Sequence, residues 1–140
     1  MKISIASDHA GFEQKQGLVD YLVAQGHDVI DRGPDSDERV DYPDYAALVA
    51  RDVAGVLVCG TGIGMAAAAN KVRGIRAVNV VTPRFAELSR EHNDANIVAL
   101  SGRFVDVDVN RAILDAFLAT PFGEGRHAGR VEKIKALEEG

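Results

Sequence analysis

Short β-rich runs alternate with longer helical patterns along the whole chain, and this alternation constrains the fold more than any other feature. The runs are Lys2 to Ser7, Asp28 to Asp31, Gly55 to Cys59, Arg76 to Val81 and Ile97 to Leu100. None has the charge alternation of a sheet with one wet face, so they read as five buried parallel strands. Parallel neighbours need crossovers, and repeated βα units give right-handed ones. The expected architecture is a three-layer αβα, Rossmann-like α/β sandwich plus a C-terminal helix, with ligands at the carboxyl ends of the strands. A flavodoxin-like strand order, 2-1-3-4-5, makes strands one and three neighbours at the switch point.

Between the strands, Phe12 to Ala24 puts Leu18, Val19, Leu22 and Val23 on one helical face, and Pro43 suits the first turn of a second helix. Further helices are expected in the glycine turn after Cys59, near Pro83, near Val107 with Ile113, Leu114, Phe117 and Leu118 inward, and from about Arg126 to Glu138.

At 140 residues, 46% hydrophobic and 26% charged, the chain is expected to form one globular domain over residues 1–140 with a single core. Sixteen basic against 21 acidic residues give a net charge of -5, the wrong sign for tracking a phosphate backbone, so nucleic acid is not an expected partner. Val53 to Ala69 carries no charge, but glycines interrupt it and it falls short of the ~20 apolar residues a bilayer needs; no membrane partner is expected. Met1-Lys2 runs straight into a strand pattern, leaving no room for an export signal. The single cysteine has no disulfide partner in the chain and fits a reducing, cytoplasmic setting.

That cysteine opens the most informative segment, Cys59-Gly60-Thr61-Gly62-Ile63-Gly64. Three glycines in five residues let the backbone turn sharply and aim several N–H groups at one point, which suits an anion or oxyanion. The same donors favour a Cys59 thiolate. Taken alone, a free cysteine at a strand end is more often core filler; the glycine turn reverses those odds. Competing motifs fit poorly. A Cys-based phosphatase loop wants an arginine where Met65 stands, a Walker loop wants Gly-Lys-Ser/Thr, and the G-x-G-x-x-A match lacks a carboxylate after Val80-Val81-Thr82.

Four other places carry titratable groups. Asp8-His9 ends the first strand, across the switch point from Cys59, although an Asp there is equally a helix N-cap. His92-Asn93-Asp94 is expected in a loop near the sheet, where His92 is either a helix-dipole partner or an acid/base group. Arg126 and Arg130 stand at i and i+4, where like charges repel unless an anion lies between them. Arg103 is a candidate for the same anion, with a solvated salt-bridging surface as the plain alternative for all three.

Together, Ser7-Asp8-His9-Ala10-Gly11, Asp41-Tyr42-Pro43, Cys59 to Gly64, Ala69-Asn70-Lys71, Gly74-Ile75-Arg76-Ala77, Ser89 to Asn93 and Gly125-Arg126-His127 through Arg130 resemble the type B ribose-5-phosphate isomerase family, which also includes galactose- and allose-phosphate isomerases. The resemblance implies an aldose-ketose isomerase of pentose phosphate metabolism that uses no cofactor and no metal. It also implies a homodimer, or a tetramer, with an active site shared between subunits. By resemblance, Cys59 moves the proton between C1 and C2, and Thr61 with the amides of Gly60, Gly62 and Gly64 holds the enediolate. His92 with Asp8 assists ring opening, and Asn93 and Asp8 contact sugar hydroxyls. His9, Arg103, Arg126 and Arg130 surround the phosphate, some of them from the partner chain. Ala46 to Ala54 is shorter than the family usually carries, which calls for a short second helix or for missing residues.

The expected substrate pair is D-ribose 5-phosphate and D-ribulose 5-phosphate. Two alternatives stay open: a six-carbon sugar phosphate such as allose or galactose 6-phosphate, and a non-catalytic phospho-ligand binding module that uses the same arginines and glycine turn.

Overall fold

The structure is a computed structural model that describes residues 1–52 and 54–139. Along the chain lie β1 (Lys2–Ser7), α1 (Phe12–Ala24), β2 (Asp28–Asp31), α2 (Tyr42–Arg51), β3 (Gly55–Cys59), α3 (Ile63–Ala69), β4 (Ala77–Asn79), α4 (Pro83–Asn93), β5 (Ile97–Ser101), α5 (Val107–Ala119) and α6 (Arg126–Ala136). All strand pairs are parallel.

The sheet order is β2-β1-β3-β5-β4, which corrects the expected 2-1-3-4-5 at its last two positions. Burial explains the exchange. Every residue of β5 is buried, so that strand belongs between two neighbours, whereas β4 has three residues, two of them only half-buried, and suits an edge. The crossover through α3 carries the chain past the place that β5 later fills. β4 is also shorter than the run Arg76 to Val81. Its flank is drawn off by other bonds: Arg76 N–H donates to the Asn96 side chain at 2.8 Å, and Val81 is exposed. β2 is the other edge and is likewise only half-buried, so the expectation of five buried strands holds for the central three, apart from the exposed Lys2 that opens β1.

Strand alternation splits the apolar residues between two faces. Val56, Val58, Val98 and Leu100 join Leu18, Leu22, Ile113, Leu114 and Phe117 on one side. Leu57, Cys59, Ile97 and Ala99 meet Ala46, Val49, Met65, Ala66 and Ala69 on the other. Cys59 therefore points toward α2 and α3.

The face of α1 differs from expectation at Val23, which is 55% exposed. Its buried stripe runs through Lys15, Leu18 and Leu22, and Val23 lies about 100° further round the helix. Lys15 holds its place through polar bonds: Nζ donates to both oxygens of Asp31, at 2.9 and 3.1 Å, and to the Pro34 carbonyl at 2.7 Å. α2 has ten residues and ends at Arg51, so the connection to β3 spans residues 52–54; Val53 lies outside the described residues. Among the described residues, no helix is long and apolar enough to cross a membrane.

Candidate active site

The carboxyl ends of β1, β3 and β5 meet at the switch point. Ser7 pairs with Val58 and Cys59 with Ser101. One further step of the β1 register sets Asp8 beside Cys59, and the Asp8 N–H donates to Val58 O at 3.1 Å. Both residues are buried. Asp8 Oδ1 accepts the Gly11 N–H at 3.0 Å, which closes the turn, while Gly11 itself takes the N-cap position of α1. A side chain at Gly11 would land on the Val58 carbonyl, so this turn packs directly on β3.

The glycine turn is formed as its composition requires. Gly62 has φ +87°, and a Cβ there would strike the Asn79 side chain and crowd the Leu100 and Ala99 carbonyls. Its N–H donates to Cys59 Sγ at 3.1 Å. The Ile63 N–H donates to Thr61 Oγ1 at 3.1 Å, and Asn79 Nδ2 donates to Thr61 O at 3.0 Å, so the turn is tied at both of its ends. A side chain at Gly64 would meet the ring of Tyr42, which brings α2 against the mouth of the crevice.

Two further side chains join this end of the sheet. His9 Nδ1 accepts the Val40 N–H at 3.3 Å, which fixes the ring at this end of the sheet. Arg103, exposed after β5, lays its side chain across Gly60, with Nη1 3.3 Å from where a Cβ of Gly60 would stand. Beside it opens a groove of about 480 Å³, lined by Ala10, Gln14, Gly102, Arg103 and Arg111 among others.

His92 and Asn93 lie elsewhere, in a helix rather than in the expected loop near the sheet. They occupy the last turn of α4, with Asp94 as a left-handed cap at φ 48°. α4 starts after the carboxyl end of β4 and runs back to the start of β5. It therefore delivers His92 to the amino ends of the strands, roughly 15 Å of strand length from Cys59. Two arginines missed by the sequence reading clamp this turn. Arg76 Nε donates to Asp94 O at 3.0 Å and Arg90 Nη1 donates to Asp94 Oδ1 at 2.9 Å.

The start of α6 is brought to the same place, because the Gly123 N–H donates to Glu91 O at 3.0 Å. His127 then stacks on His92, with Arg126 and Arg130 exposed alongside. Burial, His92, Arg126 and Arg130, in that order, hold His127 below the ordinary histidine range, with Glu91 opposing. Such a cationic cluster is matched by a phosphate dianion. His127 was not singled out from the sequence, and its position inside Arg126-His127 through Arg130 was the available signal.

One end of the sheet thus holds a thiol, a buried carboxylate, backbone donors and Arg103; the other holds two imidazoles and two guanidinium groups. Among the described residues, no group of three His, Cys, Asp or Glu side chains could hold a metal ion.

Residues 3–134 match the model of a family described as Ribose/Galactose Isomerase. Ribose-5-phosphate isomerase B of Escherichia coli is 47% identical, over 99% of this chain and 97% of its own. The structure of Clostridium thermocellum ribose-5-phosphate isomerase B matches with a TM-score of 0.98 at 47% identity, covering 99% of this chain and 98% of its own. The same enzyme from Mycoplasma genitalium, solved with bound ribulose 5-phosphate, matches with a TM-score of 0.95 at 43% identity, covering 99% and 96%.

Proposed function

The chain belongs to the ribose/galactose isomerase family, and on that premise we propose that it is an aldose-ketose isomerase interconverting D-ribose 5-phosphate and D-ribulose 5-phosphate. The observation that carries the chemistry is the Gly62 N–H donated to Cys59 Sγ at 3.1 Å, beside a buried Asp8.

In this mechanism the open-chain aldose presents its C2 hydrogen to the Cys59 thiolate. The thiolate takes the proton, the C–H electron pair becomes the C1–C2 double bond, and negative charge gathers on O1. Amides of the turn from Gly60 to Gly64, with Thr61, stabilise that charge in a water-poor crevice, where such donors contribute several kcal/mol. A proton moves from the O2 hydroxyl to O1, and Cys59 returns its proton to C1. His92 with Asp8 opens the furanose ring, while Asn93 and Asp8 contact hydroxyls. His9, Arg103, Arg126 and Arg130 hold the phosphate, and their binding energy positions the reacting carbons.

His92, Asn93, Arg126 and Arg130 sit at the opposite end of the sheet from Cys59, so a site using all of them is built from two copies of the chain. A homodimer with two shared sites supplies that arrangement. Catalysis through a free thiol belongs to a reducing compartment, which fits a cytoplasmic enzyme.

The family description also names galactose, so a six-carbon sugar phosphate is the second reading. A coupled assay with phosphorylated and free pentoses and hexoses tests both. The expected result is turnover of ribose 5-phosphate above that of allose and galactose 6-phosphates, and no turnover of free sugars. Preference for a hexose phosphate overturns the pentose assignment, and phosphosugar binding without turnover leaves a binding module.

A further inference from the structure

The loop after β5, residues 101–105, is held from beneath by two side-chain amides that arrive from different helices. Gln14 of α1 donates through Nε2 to Gly102 O at 3.1 Å and to Val105 O at 2.8 Å. Asn110 of α5 donates through Nδ2 to Ser101 O at 2.9 Å and to Gln14 Oε1 at 2.8 Å. Asn110 is wholly buried. An apolar pair would join two helices without desolvating a carboxamide, so a buried amide network contributes geometry more than adhesion.

What it orients is the floor of the crevice. The Gly102 N–H donates to Cys59 O at 2.8 Å and the Arg103 N–H to Gly60 O at 3.1 Å. Ser101 Oγ donates to the same Gly60 carbonyl at 2.8 Å and accepts the Phe104 N–H at 3.0 Å. Two donors therefore fix the plane of the Gly60–Thr61 peptide, and in a trans peptide the Thr61 N–H must point the other way, away from β5. The same loop lays Arg103 across Gly60. One short segment thus sets a guanidinium and a backbone amide relative to Cys59.

We propose that Gln14 and Asn110 are positioning residues, which touch no substrate and act through the 101–105 loop on Arg103. This rests on Arg103 being a phosphate ligand, as proposed above.

Gln14→Leu keeps the side-chain volume and removes both donors from a half-buried position; Asn110→Leu is the companion variant, and if it fails to fold, Gln14→Leu carries the test alone. The KM for ribose 5-phosphate and the Ki for inorganic phosphate are expected to rise together by about tenfold, with kcat falling no more than about threefold. Arg103→Gln should raise the same two constants, and adding Gln14→Leu to it should change them less than about twofold further, because both act through one group. A lowered melting temperature with KM and Ki unmoved overturns the proposal and leaves Gln14 and Asn110 as packing. If Arg103→Gln also leaves both constants unmoved, the phosphate role of Arg103 fails and the positioning role falls with it. If Arg103→Gln raises them and Gln14→Leu does not, the positioning role alone is overturned.

Discussion

His92 and His127 stack face to face, with ring centroids 4.4 Å apart and planes inclined by 17°. One closes α4 and the other opens α6, and the Gly123 N–H helps to hold them together by its bond to Glu91 O. Burial first, and then the neighbouring His92, Arg126 and Arg130, disfavour a proton on His127. Above the ordinary imidazole pKa both folded and unfolded chains hold a neutral His127, and it contributes nothing to pH dependence. As pH falls below that value the unfolded chain takes up a proton that the folded chain refuses, so stability is lost toward acid. His127→Gln should therefore shrink the fall in melting temperature between about pH 7.5 and about pH 5.5. An undiminished acid-side fall in the variant would show that the fold does not depress His127.

Cys59→Ala removes the proposed proton carrier and leaves every proposed phosphate ligand in place. Exchange of the C2 hydrogen of ribose 5-phosphate with deuterated solvent, followed by proton NMR, should drop by at least about a thousandfold, within the range assigned to general base catalysis. Affinity for inorganic phosphate should stay within about twofold. Turnover surviving in the alanine variant would take the base assignment away from Cys59.

Gly62 and Gly17 should respond in opposite directions to the same substitution. Gly62→Ala forces a Cβ onto the Asn79 side chain at φ +87°, with Leu100 O and Ala99 O at 3.0 and 3.1 Å. The cost should be about 2–4 kcal/mol, with loss of activity as the turn shifts. Gly17 lies inside α1 with nothing within 4 Å of a built Cβ, and Gly17→Ala should stabilise by about 0.5–1 kcal/mol. Denaturant midpoints measure both, and a stable, active Gly62→Ala variant would mean that the turn tolerates another shape.

The strands and helices were legible because local pattern governs them: β1, β2, β3 and α1 have the boundaries that periodicity and turn residues indicate. Adjacency of β1 and β3 was also legible, and with it the meeting of Asp8 and Cys59. The exchange of β4 and β5 was not read, although the contrast between Arg76 and Asn79 in one run and unbroken apolar residues in the other was there to use. The location of His92 followed from helix direction, since a helix leaving a strand's carboxyl end returns to the opposite end of the sheet. Stacking on His127, the bond from Arg76 to Asp94, and the burial of Lys15 depend on contacts between distant segments, which no local pattern encodes.

The separation of Cys59 from His92 leads to a test of the shared site that needs no further structure. Cys59→Ala and His92→Ala should each be nearly inactive as pure proteins. When the two are unfolded together and refolded, half of the dimers pair one chain of each kind if assembly is random. In such a dimer, one site receives both alanines, while the other receives Cys59 from the His92→Ala chain and His92 from the Cys59→Ala chain. Mixing should therefore restore about a quarter of wild-type activity, with KM unchanged. Restoration should require co-refolding and be absent when the folded variants are combined on ice, provided the dimers exchange slowly. A site contained in a single chain restores nothing under either condition, so an inactive co-refolded mixture that elutes as a dimer would end the shared-site assignment.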